Sequence, residues 1–205
     1  MRIEDLGLRI EDKLELSNDM LRKIDEFTKY LMDWNKVHNL TGAKRYEEIE
    51  EQVYDSIYPL AFLTKYNSLL DIGTGAGFPG MLLAIAMPDT ECTLCEPLRK
   101  RASFLKFIAR ELQLANVTVE VNRVENLEIK PYDLITSRAV TDTKTLIEWG
   151  RPFIGENTQM LFYKGEQVFK EMKDLGFMMK DGEWKIISRG KRNYLWIQKL
   201  GFSEL

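Results

Sequence analysis

The sequence predicts an α/β fold: a mainly parallel, doubly wound sheet with a C-terminal antiparallel hairpin, preceded by a helical N-terminal extension. Three observations lead there. The first third of the chain carries the three- and four-residue apolar spacing of helices. From residue 67 short apolar runs alternate with helix-length amphipathic stretches. The first of those runs ends in an acid and a glycine-rich turn, Asp71-Ile72-Gly73-Thr74-Gly75-Ala76-Gly77-Phe78-Pro79-Gly80. The expected division is residues 1–66 for the extension and 67–205 for the core.

In the extension, Met20, Leu21, Ile24, Phe27, Leu31 and Trp34 make one apolar stripe, with Ser17 or Asn18 able to cap its start. A second amphipathic stretch runs from Tyr46 through Ile49, Val53 and Ile57 and breaks near Pro59. Its acids Glu47, Glu48, Glu50 and Glu51 read as a solvated face near a helix N-terminus. Beyond residue 67, strands are expected at 68–72, 90–95, 117–121, 133–137 and 158–163. Helices are expected at 79–86, 98–112, 143–149 and 166–175, with Pro79 in the first turn of the earliest. Two last strands, 184–188 and 194–198, flank Arg189-Gly190-Lys191-Arg192-Asn193 and imply the hairpin.

Length and composition set bounds on function. With 205 residues, 44% apolar and 30% charged, the chain is globular and suits one domain or one with a small extension. No apolar run approaches the ~20 residues of a membrane span, and no apolar segment follows Met1-Arg2-Ile3-Glu4-Asp5 as a signal peptide requires. A cytoplasmic protein without a membrane partner is expected, and nothing requires an oligomer. Cys92 and Cys95 spell C-x-x-C, but on a strand their side chains point to opposite faces. They read as small buried hydrophobes, not as a redox pair or half a zinc site. The single histidine, His38, reads as structural, and no metal is expected.

The glycine turn suits a ligand that must touch backbone ahead of a helix N-terminus. Gly75, Gly77 and Gly80 imitate the dinucleotide fingerprint, but its first glycine belongs at the strand end. Gly73 holds that place, and counted from it the third glycine position is Phe78. Asp71 beside the turn would repel a pyrophosphate and suits a sulfonium with an ammonium group. S-adenosylmethionine is such a ligand, with Asp71, Gly73, Gly75 and Gly77 as its expected loop residues. Glu96 closes the second strand, where a carboxylate accepts from ribose hydroxyls. At Arg123-Val124-Glu125 an acid can accept from an adenine amino group while Val124 packs on the ring; a surface Arg–Glu pair fits the spacing equally.

Ser137-Arg138-Ala139 ends the fourth strand, where open α/β sheets place reacting groups. The N-P-P-Y motif of many amino-group methyltransferases is absent there. A ring nitrogen such as guanine N7 exposes a lone pair, so methylating it needs alignment and no general base. Arg138 can donate two hydrogen bonds to guanine O6 or to a phosphate, or it can brace the loop by pairing with Glu125 or Asp142.

Trp34-Asn35-Lys36-Val37-His38-Asn39-Leu40-Thr41, Asp55-Ser56, Asp71 to Gly80, Arg123-Val124-Glu125, Ser137-Arg138-Ala139 and Tyr163-Lys164-Gly165 occur in that order. Together, from about residue 20 to the end, they resemble the ribosomal RNA small-subunit methyltransferase G family, also called glucose-inhibited division protein B. The resemblance implies a Rossmann-like class I methyltransferase that methylates N7 of one guanine in small-subunit (16S) ribosomal RNA. S-adenosylmethionine would be the donor and S-adenosylhomocysteine the product. It implies cofactor contacts at Gly73, Phe78, Val124, Glu125 and Arg138, with Arg138 also the expected catalytic residue. Phe78 stands where relatives often carry leucine, and Glu96 where some carry aspartate.

Charge is an awkward partner for this reading. The net charge is −3, so whole-molecule attraction to RNA is not expected. Residues 97–110 hold Arg99, Lys100, Arg101, Lys106 and Arg110 without an acid, and 164–199 hold nine bases against five acids. Both stretches suit phosphate contacts, though a solvated helix face explains the first as well. The expected partner is small-subunit ribosomal RNA within a ribosomal particle. The competing readings are a methyltransferase for another substrate, a non-catalytic adenosyl-binding or ribosome-associated factor, and a dinucleotide oxidoreductase.

Overall fold

The computed structural model describes residues 16–176 and 182–201. The Met1-Arg2-Ile3-Glu4-Asp5 stretch, and Lys180 and Asp181 of the C-terminal basic stretch, lie outside the described residues.

Strand β1 (Ser68–Ile72) is parallel to β2 (Glu91–Cys95) on one side and to β4 (Tyr132–Arg138) on the other. Outward from these lie β3 (Val117–Glu120) next to β2 and β5 (Ile154–Lys164) next to β4, both parallel. The C-terminal strands β6 (Glu183–Arg189) and β7 (Arg192–Lys199) are antiparallel, with β7 against β5 and β6 at the edge. The order is β3-β2-β1-β4-β5-β7-β6. β1 and β4 read as apolar runs without alternation because both faces of the sheet are covered there; Leu69, Leu70, Leu134 and Ile135 have no exposed surface. The chain reverses direction across the sheet between β1 and β4, which opens a crevice at their carboxyl ends.

Helices α1 (Asn18–His38) and α2 (Tyr46–Ile57) come from the N-terminal stretch. Ser17 caps α1 by accepting from the Met20 N–H at 3.2 Å, and Asn39 ends it in the left-handed region at φ 48°. Ile24, Phe27 and Leu31 of α1 and Ile49, Val53 and Ile57 of α2 enter one core with α3 (Gly80–Ala86) and α4 (Arg99–Glu111). On the opposite face α5 (Thr143–Gly150) and α6 (Val168–Asp174) cover Leu70, Ile135, Met160, Phe162 and Leu195. The extension is therefore continuous with the core of one sheet face.

Helix α2 is bonded directly to the sheet. The Tyr163 hydroxyl donates to the Ser56 carbonyl at 2.8 Å, and the Tyr194 hydroxyl to the Asp55 carbonyl at 3.2 Å. Buried Asp55 also receives Arg189 at 2.7 Å and Arg192 at 3.0 Å from the hairpin. The Asp55-Ser56 pair is thus the joint between the extension and β5, β6 and β7.

Several local expectations need correcting. Pro79 sits just ahead of α3 as its N-cap residue, one position outside the helix. β5 begins at residue 154, before the exposed polar Glu156 and Asn157 that conceal it in the sequence. It is tied there by Thr158, whose hydroxyl accepts from the Gly155 N–H and donates to the Tyr132 carbonyl. The hairpin connection is two residues, Gly190-Lys191, because Arg189 and Arg192 already pair across the strands. Gly190 supplies the left-handed position, φ 56°, that so tight a turn demands. Of the acids read as a solvated face, Glu50 is buried. Cys92 and Cys95 are free and buried in separate clusters on the two sheet faces, and burial pushes both thiols up to about 12. His38 lies in the last turn of α1 against the Trp34 ring, away from the crevice.

Candidate functional site

The crevice holds a cavity of about 520 Å³, within the range of small-molecule sites. Its floor is the turn after β1. The Gly73 and Thr74 N–H groups both donate to the Cys95 carbonyl, folding the turn back onto β2. Gly73 and Gly75 have φ of 68° and 62°, a conformation that side chains resist. Gly75 lines the cavity, and a Cβ there would meet nothing closer than the Gly73 carbonyl at 4.0 Å, so its bare side is open. Val140 crosses above Gly73, where a Cβ would come within 2.6 Å of it.

Two of the expected loop residues do not line the cavity. Gly77, at φ 102°, turns its bare Cα toward Met81, Phe27 and Leu105, each 3.0–3.3 Å from where a Cβ would stand. Its lack of a side chain admits α1 and α4 to the back of the loop. Asp71 is completely buried beneath the turn. It accepts from the Thr136 hydroxyl at 2.7 Å and from the Gly80 N–H, at the start of α3, at 2.9 Å. Its carboxylate therefore ties β1 to β4 and α3 and does not face the cavity. Gly80 is required by the same packing, since a Cβ there would lie 2.5 Å from Asp71 Oδ2 and 2.4 Å from Leu94.

The remaining candidates converge on the cavity. Glu96, 3% exposed at the end of β2, accepts from the Gly75 N–H at 3.0 Å and the Leu98 N–H at 2.8 Å. Each of its oxygens keeps a second lone pair for a hydroxyl. The Gly75 N–H that a pyrophosphate would need is thereby already given to a carboxylate. Val124, buried, and Glu125, exposed, share the neighbouring wall, and no ion pair forms between Arg123 and Glu125. Phe78 and Arg138 close the far side.

Arg138 ends β4 with its guanidinium 4.6 Å from the centre of the Phe78 ring. Its Nη2 donates to Gln52 Oε1 at 2.9 Å, while Nη1 is buried without a partner. Burial pulls its pKa down to about 10, aided by the nearby Arg192 charge, so it remains a cation at neutral pH. It pairs with neither Glu125 nor Asp142. Asp142 instead caps α5, accepting from the Thr145 N–H at 3.0 Å and its hydroxyl at 2.8 Å. Between Arg138 and that cap, Ala139 is held at φ 55° and Lys164 donates to the Thr141 carbonyl at 2.9 Å. Lys164 also pairs with Glu171, which receives the Thr143 hydroxyl and N–H, so the loop after Arg138 is braced from β5 and α6.

Gln52 escaped the sequence reading; Arg101, read only within a basic stretch, and the bend at Leu40-Thr41-Gly42, of which Leu40 and Thr41 are read only within a motif, join it on the cavity wall. Asn35 shapes that bend, donating to the Ala43 carbonyl and accepting from the Thr41 N–H, which gives the Trp34 to Thr41 motif its physical meaning. Gln52, set among glutamates on α2, gave no signal. Of the basic stretch, Arg101 lines the cavity and Arg99 and Lys100 are exposed, whereas Arg110 is engaged by Glu111 and Phe107. Among the described residues no cluster of His, Cys, Asp and Glu is arranged to hold a metal ion, and no helix is long and apolar enough to cross a membrane.

Comparison with known proteins gives a consistent picture. A family model described as "rRNA small subunit methyltransferase G" matches residues 20–185. The ribosomal RNA small subunit methyltransferase G of Wolinella succinogenes is 49% identical over 161 residues, 78% of this chain and 83% of that protein. The protein of the same name from Aliarcobacter butzleri is 42% identical over 198 residues, 97% of each chain. Among solved structures, the ribosomal protein L11 methylase of Lactobacillus delbrueckii subsp. bulgaricus superposes with a TM-score of 0.59 at 14% identity. That match covers 74% of this chain and 79% of the other, a likeness of fold alone.

The buried carboxylate makes a pH signature. Burial raises Asp71 to about 6, against the Thr136 and Gly80 hydrogen bonds that favour its charged form. An unfolded chain releases that proton near pH ~4. Between the two values the folded state holds the proton and the unfolded state has lost it, so stability falls as pH rises through the window and levels above it. Asp71→Asn lacks this component. In urea titrations the stability difference should shift against the wild type by about 3 kcal/mol from pH ~4 to ~7. A pH-independent difference would mean that Asp71 folds as a carboxylate.

Proposed function

The chain belongs to the rRNA small subunit methyltransferase G family, and from that premise we propose that it methylates N7 of a guanine in small-subunit ribosomal RNA, using S-adenosylmethionine. The observation that carries the reading is the presence, in one cavity, of the strand-end carboxylate of Glu96 and the half-buried Arg138 guanidinium, whose side-chain partner is a neutral amide.

The residues fit the cofactor's chemistry. Glu96 offers acceptors for two ribose hydroxyls, Val124 an apolar surface for adenine, and Glu125 an acceptor for its amino group. The bare Cα of Gly75 and the positive-φ turn at Gly73 leave backbone within reach of the remainder. When bound, S-adenosylmethionine supplies a methyl group on a positively charged sulfur. Guanine N7 presents its lone pair without losing a proton, so the protein's work is alignment and exclusion of water. Arg138 does the aligning: its guanidinium, on the cavity wall, donates to an acceptor beside the reacting nitrogen, and it cannot serve as a base at neutral pH. We read residues 1–66 as an extension that completes the cavity through Leu40, Thr41 and Gln52.

The substrate is proposed to be a structured ribosomal particle in the cytoplasm. A chain of net charge −3, with only local exposed bases such as Arg99 and Lys100, gains little from phosphate attraction alone. Methyl transfer should be far more efficient on small-subunit particles lacking the modification than on protein-free RNA at physiological salt. Equal efficiency would overturn this, and mass mapping of the modified nucleotide tests the guanine assignment itself.

Gly75→Val should abolish calorimetric binding of S-adenosylhomocysteine while the protein stays folded by circular dichroism; unchanged affinity would remove the loop from the cofactor site. Arg138→Ala should lower the single-turnover rate by about a hundredfold, the scale of a lost alignment. Arg138→Lys should recover little, because a lysine lacks the fork. A near-normal rate for the alanine variant would reduce Arg138 to a structural residue.

A further inference from the structure

Gln52 belongs to α2, yet its side chain reaches the wall of the cavity and accepts from Arg138 Nη2 at 2.9 Å. Arg138 is held on a second side by the Phe78 ring, whose edge contact with Phe27 ties it to α1 at 5.5 Å between centroids. The guanidinium is thus gripped by a neutral amide and an aromatic face, both set by the N-terminal helices. Neither partner carries charge, although a carboxylate is the commoner mate for a buried arginine.

The choice of a neutral acceptor has a chemical consequence. A glutamate at 52 would engage the fork with two oxygens and cancel its charge. An amide offers one oxygen, fixes one edge of the guanidinium, and leaves its positive charge uncancelled on the cavity wall. The helix backbone that carries the amide is well supported. The Gln52 carbonyl accepts from the Ser56 hydroxyl at 2.7 Å, and the next turn of α2 is bonded to β5 and β7 through Tyr163 and Tyr194. A backbone so anchored presents the amide at a constant place relative to β4.

We propose that Gln52 is a positioning residue for methyl transfer: it holds the Arg138 guanidinium in line with its acceptor without neutralising it. The inference rests on the alignment role given to Arg138 above. Through Gln52 the helical extension acts on the reaction itself, in addition to any contact with RNA.

A double-mutant cycle tests this with the full chain, small-subunit particles lacking the modification, and single-turnover rates. Gln52→Met keeps the length and removes the acceptor, and should slow transfer by about tenfold or more. Gln52→Glu restores an acceptor yet should also be slow, because it binds both edges of the fork. Both should retain the wild-type calorimetric affinity for S-adenosylhomocysteine and the wild-type urea midpoint. In the Arg138→Ala background, Gln52→Met should cause no further loss. An equal loss in both backgrounds would overturn the proposal, and so would full activity of Gln52→Glu. If Arg138→Ala is slow while Gln52→Met is normal, the positioning role fails and the Arg138 reading stands. If Arg138→Ala is normal, both fail.

Discussion

A carboxylate without access to water holds the centre of this molecule together. Asp71 is fixed between β1, the Thr136 hydroxyl of β4 and the first N–H of α3. A buried, partly charged group is costly unless its acceptors are used, and here both oxygens receive a donor. The dipole of α3 adds a small favourable contribution, because its N-terminus points at the acid. The arrangement leaves no room at position 80 for anything larger than glycine. It fixes where β1 ends, where α3 begins, and therefore the path of the turn between them.

The glycines of that turn serve different masters. Gly73 and Gly75 bend the chain, Gly73 beneath Val140 and Gly75 open to the cavity, whereas Gly77 and Gly80 let α1, α4 and the Asp71 carboxylate close in from behind. One motif thus shapes a cavity on its front and a core on its back. The fully buried Phe27 belongs to that core, so the extension is part of the platform beneath the site.

The second constraint runs through α2. Asp55 and Ser56 receive hydroxyl groups from β5 and β7 and guanidinium groups from the hairpin, and the same helix presents Gln52 to Arg138 one turn earlier. Arg189 lies over the Tyr54 ring at 3.9 Å, adding a face-on contact to its ion pairs. The antiparallel hairpin, remote in sequence from the extension, thereby sets the position of a cavity residue. It serves as a strut as well as a sheet edge.

Much of this was readable in the sequence because it is local. Periodicity located most of the helices and strands to within a residue or two, and the acid–glycine order located the crevice, because backbone conformation depends on neighbours along the chain. Strand-end placement brought Glu96 and Arg138 to the cavity wall, since a doubly wound sheet presents its carboxyl ends to one crevice. Which way a side chain faces is a different matter. Asp71 reads as a ligand partner until the fold seals it under the turn, and Gly77 reads as loop surface until Phe27 and Leu105 pack against it. The bond between Gln52 and Arg138 joins residues 86 positions apart. Such a contact exists only after α2 is anchored across the sheet ends, so it has no signature in either segment. The sequence by itself determined the architecture, the glycine turn and the chemical class of the cavity; the tertiary structure decided which charges face the ligand and which hold the frame, because burial is a property of the assembled core.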